Sequence, residues 1–159
     1  MKYPKDEVLN QNQFVVDQWV DLRASPVEIW PWLAQMGNGR AGWYSYDWLD
    51  NLGKKSFQSI DPNLVQVFKN QKISFAVISE VEELQLLSYQ FGTWGSFSYY
   101  LERLDDKKTR LWTRARFNKS SWLLKVILTK GHLFMQQKQF KEIKKRVENP
   151  AKDSSRLKK

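Results

Sequence analysis

Cysteine is absent from the 159 residues, histidine occurs once, and glycine and proline are sparse at seven and five. Without cysteine there is no disulfide and no thiolate metal site, and nothing in the sequence speaks for an oxidising compartment. A lone histidine, His132, reads as a capping or surface residue at a helix start, and it leaves no set of side chains for zinc or haem. No Ser-His-Asp order, nucleophile elbow, phosphate-cradling glycine loop or H-E-x-x-H occurs, which argues against hydrolase, kinase and metalloenzyme chemistry; no cofactor is expected. No apolar run approaches the ~18 residues of a membrane span, and "MKYPKDEVLNQNQ" at the N-terminus lacks an apolar segment, so the expected location is the cytoplasm.

What the chain does have is rings. Aromatic residues make up 14% of it, eight of them tryptophans, within ordinary globular values of 42% hydrophobic and 27% charged residues. The length suits one domain with one core, as a monomer or weak dimer. The net charge of +9 is concentrated: from Lys138 to Lys159 nine Lys or Arg face three acids, so the C-terminal end carries +6 of it. Such an end can touch an anionic membrane surface or nucleic acid weakly and without sequence preference. In the last helix Lys138, Lys141, Lys144, Lys145 and Arg146 read as the solvent face, opposite Phe140, Ile143 and Val147. If that helix breaks near Gly131, Val126, Ile127 and Leu128 form an exposed apolar stretch.

"NQFVVDQWVDLRA" alternates as a half-buried strand. "SPVE" follows as a capping box, with Ser25 as N-cap, Pro26 at the first helical position and Glu28 reaching back, so a helix begins there and runs through Met36 past a kink at Pro31. "GNGR" then turns, and Ser45 caps a second short helix with Asp47 in its first turn and Gly53 after its end. From Lys72 the pattern is strand throughout, with a phase slip at Leu86 and Leu87 that predicts a bulge and a hairpin around "DDKK". After Lys119 it becomes helical until Pro150. The expected division is a flexible 1–8, one domain over 9–149 and a basic disordered tail over 150–159. The expected fold class is α+β, an antiparallel sheet curled around one long helix with a cavity between them.

"RASPVEIWPWLAQMGNGRAGWYSYDWLDNLG" resembles the opening of a bacterial branch of the SRPBCC superfamily (START-like, polyketide cyclase and lipid transport type), and "TRLWTRARF" and "GHLFMQQKQFKEIKKRVEN" resemble its last strand and final helix. The resemblance implies a helix-grip fold, with six or seven strands around the C-terminal helix and a cavity for an apolar ligand. It supplies no single function, because the fold hosts carriers, binders and cyclases alike.

The expected function is binding or carriage of a small hydrophobic or amphipathic ligand, a lipid or an aromatic metabolite. The alternatives are a metal-free cyclase or dehydrase, with Asp47 and a tyrosine as acid and base, and a basic-surface adaptor. The candidate catalytic residue is Asp47, although its position alone is explained by a first-turn acid facing the helix dipole and solvent. The candidate ligand-binding residues are Trp30, Tyr44, Tyr46, Tyr99, Arg114 and Met135. Within "WYSYDW", Trp43 and Trp48 are expected as buried anchors and Tyr44 or Tyr46 at the cavity mouth, since a phenol is stable half wet. Whether Arg114 and Arg116 look inward, as an anion-binding floor, or outward toward acids is left open by alternation alone.

Overall fold

The computed structural model describes residues 13–118 and 122–149, with Gln13 and residues 122–129 as backbone alone. The segments 1–8 and 150–159 and the side chains of Val126, Ile127 and Leu128 lie outside the described residues. Alternating residues after Asn12 form strand β1 (Gln13–Leu22), and the capping box opens helix α1 (Pro26–Ala34). The Glu28 carboxylate accepts from both the Ser25 backbone N–H and its hydroxyl at 2.8 Å. Pro31 lies inside α1, which ends one turn later. Helix α2 (Asp47–Asp50) follows the glycine turn. Then come β2 (Lys72–Ile73), β3 (Ala76–Glu82), β4 (Leu86–Phe91), β5 (Gly95–Asp105) and β6 (Lys108–Asn118), and last helix α3 (Trp122–Glu148).

The strands make one antiparallel sheet in the order β1-β6-β5-β4-β3-β2, so the first and last strands pair, from Gln13 opposite Asn118 to Leu22 opposite Thr109. α3 packs against β1 and α1, gripped by the curved sheet. The core lies between them: Leu22, Ile29, Leu33, Leu111 and Ile143 are fully buried. Among the described residues no helix is long and apolar enough to cross a membrane.

Three local expectations are corrected. The bulge falls on β3, between Ile78 and Glu80 opposite Tyr89 and Ser88, while Leu86 and Leu87 enter β4 already paired and both buried. The cap of α2 is Tyr46, and the Ser45 hydroxyl instead donates to the Met135 carbonyl, 3.2 Å away on α3. α3 runs unbroken through Gly131, since one glycine costs a helix only about 1 kcal/mol relative to alanine.

The glycine turn before α2 is closed by two bonds between Gly37 and Gly42, both 3.1 Å. Gly42 has φ 82°, and a Cβ on it would lie 2.3 Å from the Ser56 hydroxyl. No other residue fits there, and the turn sets where "WYSYDWLD" begins.

Candidate functional site

The outward face of β6 carries a ladder of side chains paired with acids. Cross-strand register sets Asp17 opposite Arg114 and Asp21 opposite Arg110. The Arg114 guanidinium donates to both Asp17 oxygens at 2.7 and 2.8 Å, and that of Arg110 to both Asp21 oxygens at 2.7 and 3.1 Å. Trp112 donates its indole N–H to Glu102 at 2.7 Å, and Arg110 lies 4.3 Å above the Trp19 ring. Arg114 is buried in this ladder, on the face opposite Ala115 and Phe117, and its charge is used on Asp17.

On the inward face a cavity of about 310 Å³ opens between β4, β5, β6 and α3, with α2 at one end. Phe91, Phe97, Tyr99 and Phe117 form its sheet wall, Met135 and Gln136 its helix wall, and Trp43 and Asp50 its end. Phe75 and Trp94 line it while being mostly exposed, so they stand at its mouth. Its size falls within the ~300–1,000 Å³ range of small-molecule sites.

The candidate residues separate. Tyr99 and Met135 line the cavity. Trp30 is buried in the core beside it, Arg114 belongs to the outer ladder, and Tyr46 is half-buried with its ring stacked on exposed Phe134 at 4.8 Å. The aromatic stretch is assigned the other way round from expectation. Trp43 is cavity wall, packed edge to face on Tyr89. Tyr44, at φ 56° and 1% exposed, is the plug. Its hydroxyl accepts from Gln35 at 2.7 Å, Arg146 lies 4.5 Å above its ring, and burial pushes its pKa up to about 12. Trp48 is 73% exposed and anchors nothing, because a four-residue helix cannot bury both Asp50 toward the cavity and Trp48 on its other side.

Asp47 does not line the cavity: its carboxylate accepts from the Ser56 backbone N–H at 3.0 Å and from the Ser56 hydroxyl, tying down the loop after α2. The acid in the cavity is Asp50. Both its oxygens are shielded from solvent without a hydrogen-bond partner of good geometry. Burial, and then the charge of Asp47, push its pKa up to about 6, against a partial counter-effect of nearby Ser45 and backbone dipoles.

α3 supplies groups that a reading of its charges misses. Gln136 and Gln139 are buried and mutually bonded, the Gln136 amide donating to the Gln139 carbonyl oxygen, which also accepts from the Tyr99 hydroxyl, both at 2.9 Å. The Gln139 amide in turn donates to the Trp43 carbonyl at 2.7 Å, so the floor is a satisfied polar network. His132 is neither cap nor surface: it sits inside α3 against the Phe97 and Phe117 rings, with Nε2 buried and unpartnered. Burial lowers its pKa to about 4, so the ring is neutral at ordinary pH. Arg146 also departs from the expected solvent face. At 100° per residue it lies 60° from Ile143, and its guanidinium donates to the Phe57 carbonyl and to Glu142. Among the described residues no group of three or more His, Asp or Glu is placed to hold a metal ion.

A curved antiparallel sheet gripping a long C-terminal helix, with an aromatic cavity between them, defines a helix-grip protein. No protein-family model matches the sequence, and no curated protein does. Solved structures share the fold. A conserved protein of unknown function, EF2215 from Enterococcus faecalis, matches with TM-score 0.53 at 13% identity over 90% of this chain and 76% of its own. The protein SSP2350 from Staphylococcus saprophyticus matches with TM-score 0.52 at 11% identity, over 86% and 93%. DynU16, from the dynemicin biosynthetic locus, matches with TM-score 0.55 at 13% identity, over 86% of this chain and 48% of its own. At such identities the likeness is one of fold.

Proposed function

We propose that this protein is a START-like member of the SRPBCC superfamily that binds a small apolar or amphipathic molecule, a short lipid or an aromatic metabolite, in the cavity between sheet and helix. The observation that carries this reading is the cavity itself: aromatic walls around about 310 Å³ of space, reached past two exposed rings, Phe75 and Trp94. Burying an apolar ligand there is favourable at about 25 cal/mol per Å² removed from water. Exposed rings at the mouth are the part of the surface that such a ligand would cover.

Native mass spectrometry of the protein purified from its own cell extract tests the proposal. A bound mass that is lost on denaturation, and is replaced by an added apolar probe with a change in Trp43 and Trp94 fluorescence, is the expected result. No co-purifying mass together with no saturable response to apolar probes would defeat the reading. A turnover reading draws on one further observation, that an acid with a pKa of about 6 faces an apolar cavity; in it the acid or base is Asp50, not Asp47.

A further inference from the structure

The cavity contains a charge that the protein itself answers only in part, through Ser45 and nearby backbone dipoles. Asp50 brings a carboxylate to the end of an aromatic chamber, and neither oxygen has a hydrogen-bond partner of good geometry. Among the described residues no lysine lines the chamber. Arg116 enters the lining beside Gly95, whose α-carbon packs directly on the Arg116 carbonyl, on the strand face opposite Ala115 and Phe117. An ionised carboxylate is an acceptor only, and a buried one is costly until a donor, preferably a cationic one, reaches it. The glutamine amides do not supply it: Gln136 donates to Gln139, and Gln139 to the Trp43 carbonyl, and neither donates to Asp50.

We infer that the molecule this cavity takes is an amphipathic amine, with its ammonium group on the Asp50 carboxylate and its apolar body among Phe91, Phe97, Trp94 and Phe117. This rests on the cavity-binding reading above and names its ligand class. An alcohol would give Asp50 one hydrogen bond and leave the charge uncompensated; a carboxylic acid would bring a second negative charge. An ammonium supplies both donors and charge, and aromatic rings that line the cavity are compatible with a bound cation.

The same placement makes binding depend on pH. The titratable groups around Asp50 are Asp47 on its own helix, Tyr99 on β5 and His132 on α3, while the Arg116 side chain of β6 lies on the opposite strand face. Asp47 is engaged by Ser56, Tyr99 is held protonated by burial, and His132 is neutral above about pH 4. Asp50 is therefore the group that changes charge near pH 6, and amine binding weakens as pH falls through that value.

Titrating octylamine, octanol and octanoate into the protein by calorimetry, at about pH 7.5 and about pH 5, tests this in wild type and Asp50→Asn. The expected result at the higher pH is octylamine bound at least ~10-fold more tightly than octanol, with octanoate weakest. At the lower pH, and in Asp50→Asn at either pH, the amine preference should vanish while octanol affinity stays within about two-fold. Octanol binding without amine preference, or a preference that survives in Asp50→Asn, overturns the inference and leaves the cavity reading standing. Failure of all three probes to bind defeats both.

Discussion

On the outer face of β6, Arg110, Trp112 and Arg114 each meet an acid set opposite or beside them by strand register. On the inner face, Ala115 and Phe117 line the cavity with Asp50 and His132, whose carboxylate oxygens and Nε2 are buried without a hydrogen-bond partner of good geometry. The two faces belong to one strand and share its residues alternately, yet on one Arg110, Trp112 and Arg114 are answered within the chain, and on the other Asp50 and His132 are left with unpartnered buried atoms. A buried polar group that is satisfied within the chain contributes to the fold; one left unsatisfied beside open space costs stability until a ligand reaches it.

The comparison is sharpest at Tyr44, an interior polar residue that is satisfied, by Gln35 and Arg146. Tyr44→Ala should therefore act on the fold, lowering unfolding free energy by about 4 kcal/mol in urea titration. A mild effect there would remove the distinction between plug and cavity wall.

His132 comes next. Its folded pKa of about 4 lies below the ordinary 6.5, so as pH falls from 6.5 to 4 the unfolded chain takes up a proton that the folded chain refuses. Through this group stability falls over that window, by at most about 3 kcal/mol. Asp50, whose folded pKa of about 6 lies above the ordinary 3.8, works in the opposite sense between about 6 and 4. The comparison of wild type with His132→Gln isolates the histidine part: the variant should lose less stability on acidification. Parallel pH curves would contradict the placement of the ring.

Arg114→Ala should cost about 2 kcal/mol, the loss of a pair with one buried partner and one partly solvent-screened. Its affinity for an apolar probe should stay unchanged, because the outer ladder does not reach the cavity. A clear loss of affinity would break the separation of the faces. The smallest effect is expected at Trp48, where truncation of an exposed ring should change stability by less than about 0.5 kcal/mol. Thermal melts of Trp48→Ala would expose any hidden packing role.

Much of the architecture was legible before any coordinates. The alternation of β1, the Ser25 to Glu28 capping box, the hairpin around "DDKK" and the late amphipathic helix are each written in neighbours a few positions apart, and they recur as elements. Their order implied an antiparallel sheet curled around one long helix, and the family resemblance implied the helix-grip fold. The site was legible only in part. "WYSYDWLD" marks the right segment, since Trp43 and Asp50 both come from it, but composition points to Asp47 as the acid and to the tyrosines as the wall.

Sequence by itself determined which segments are helix and strand and that one sheet face had to be covered, because periodicity and capping are local and a strand's faces alternate by geometry. Only the tertiary structure decided which face of β6 looks inward, which of two acids three residues apart enters the cavity, and that Gln136, Gln139 and Arg146 are buried. Those outcomes depend on partners far away in the chain: Asp17 against Arg114, Ser56 against Asp47, Tyr99 against Gln139. Burial of a polar side chain is decided by whether such a distant partner arrives, and no local pattern records that.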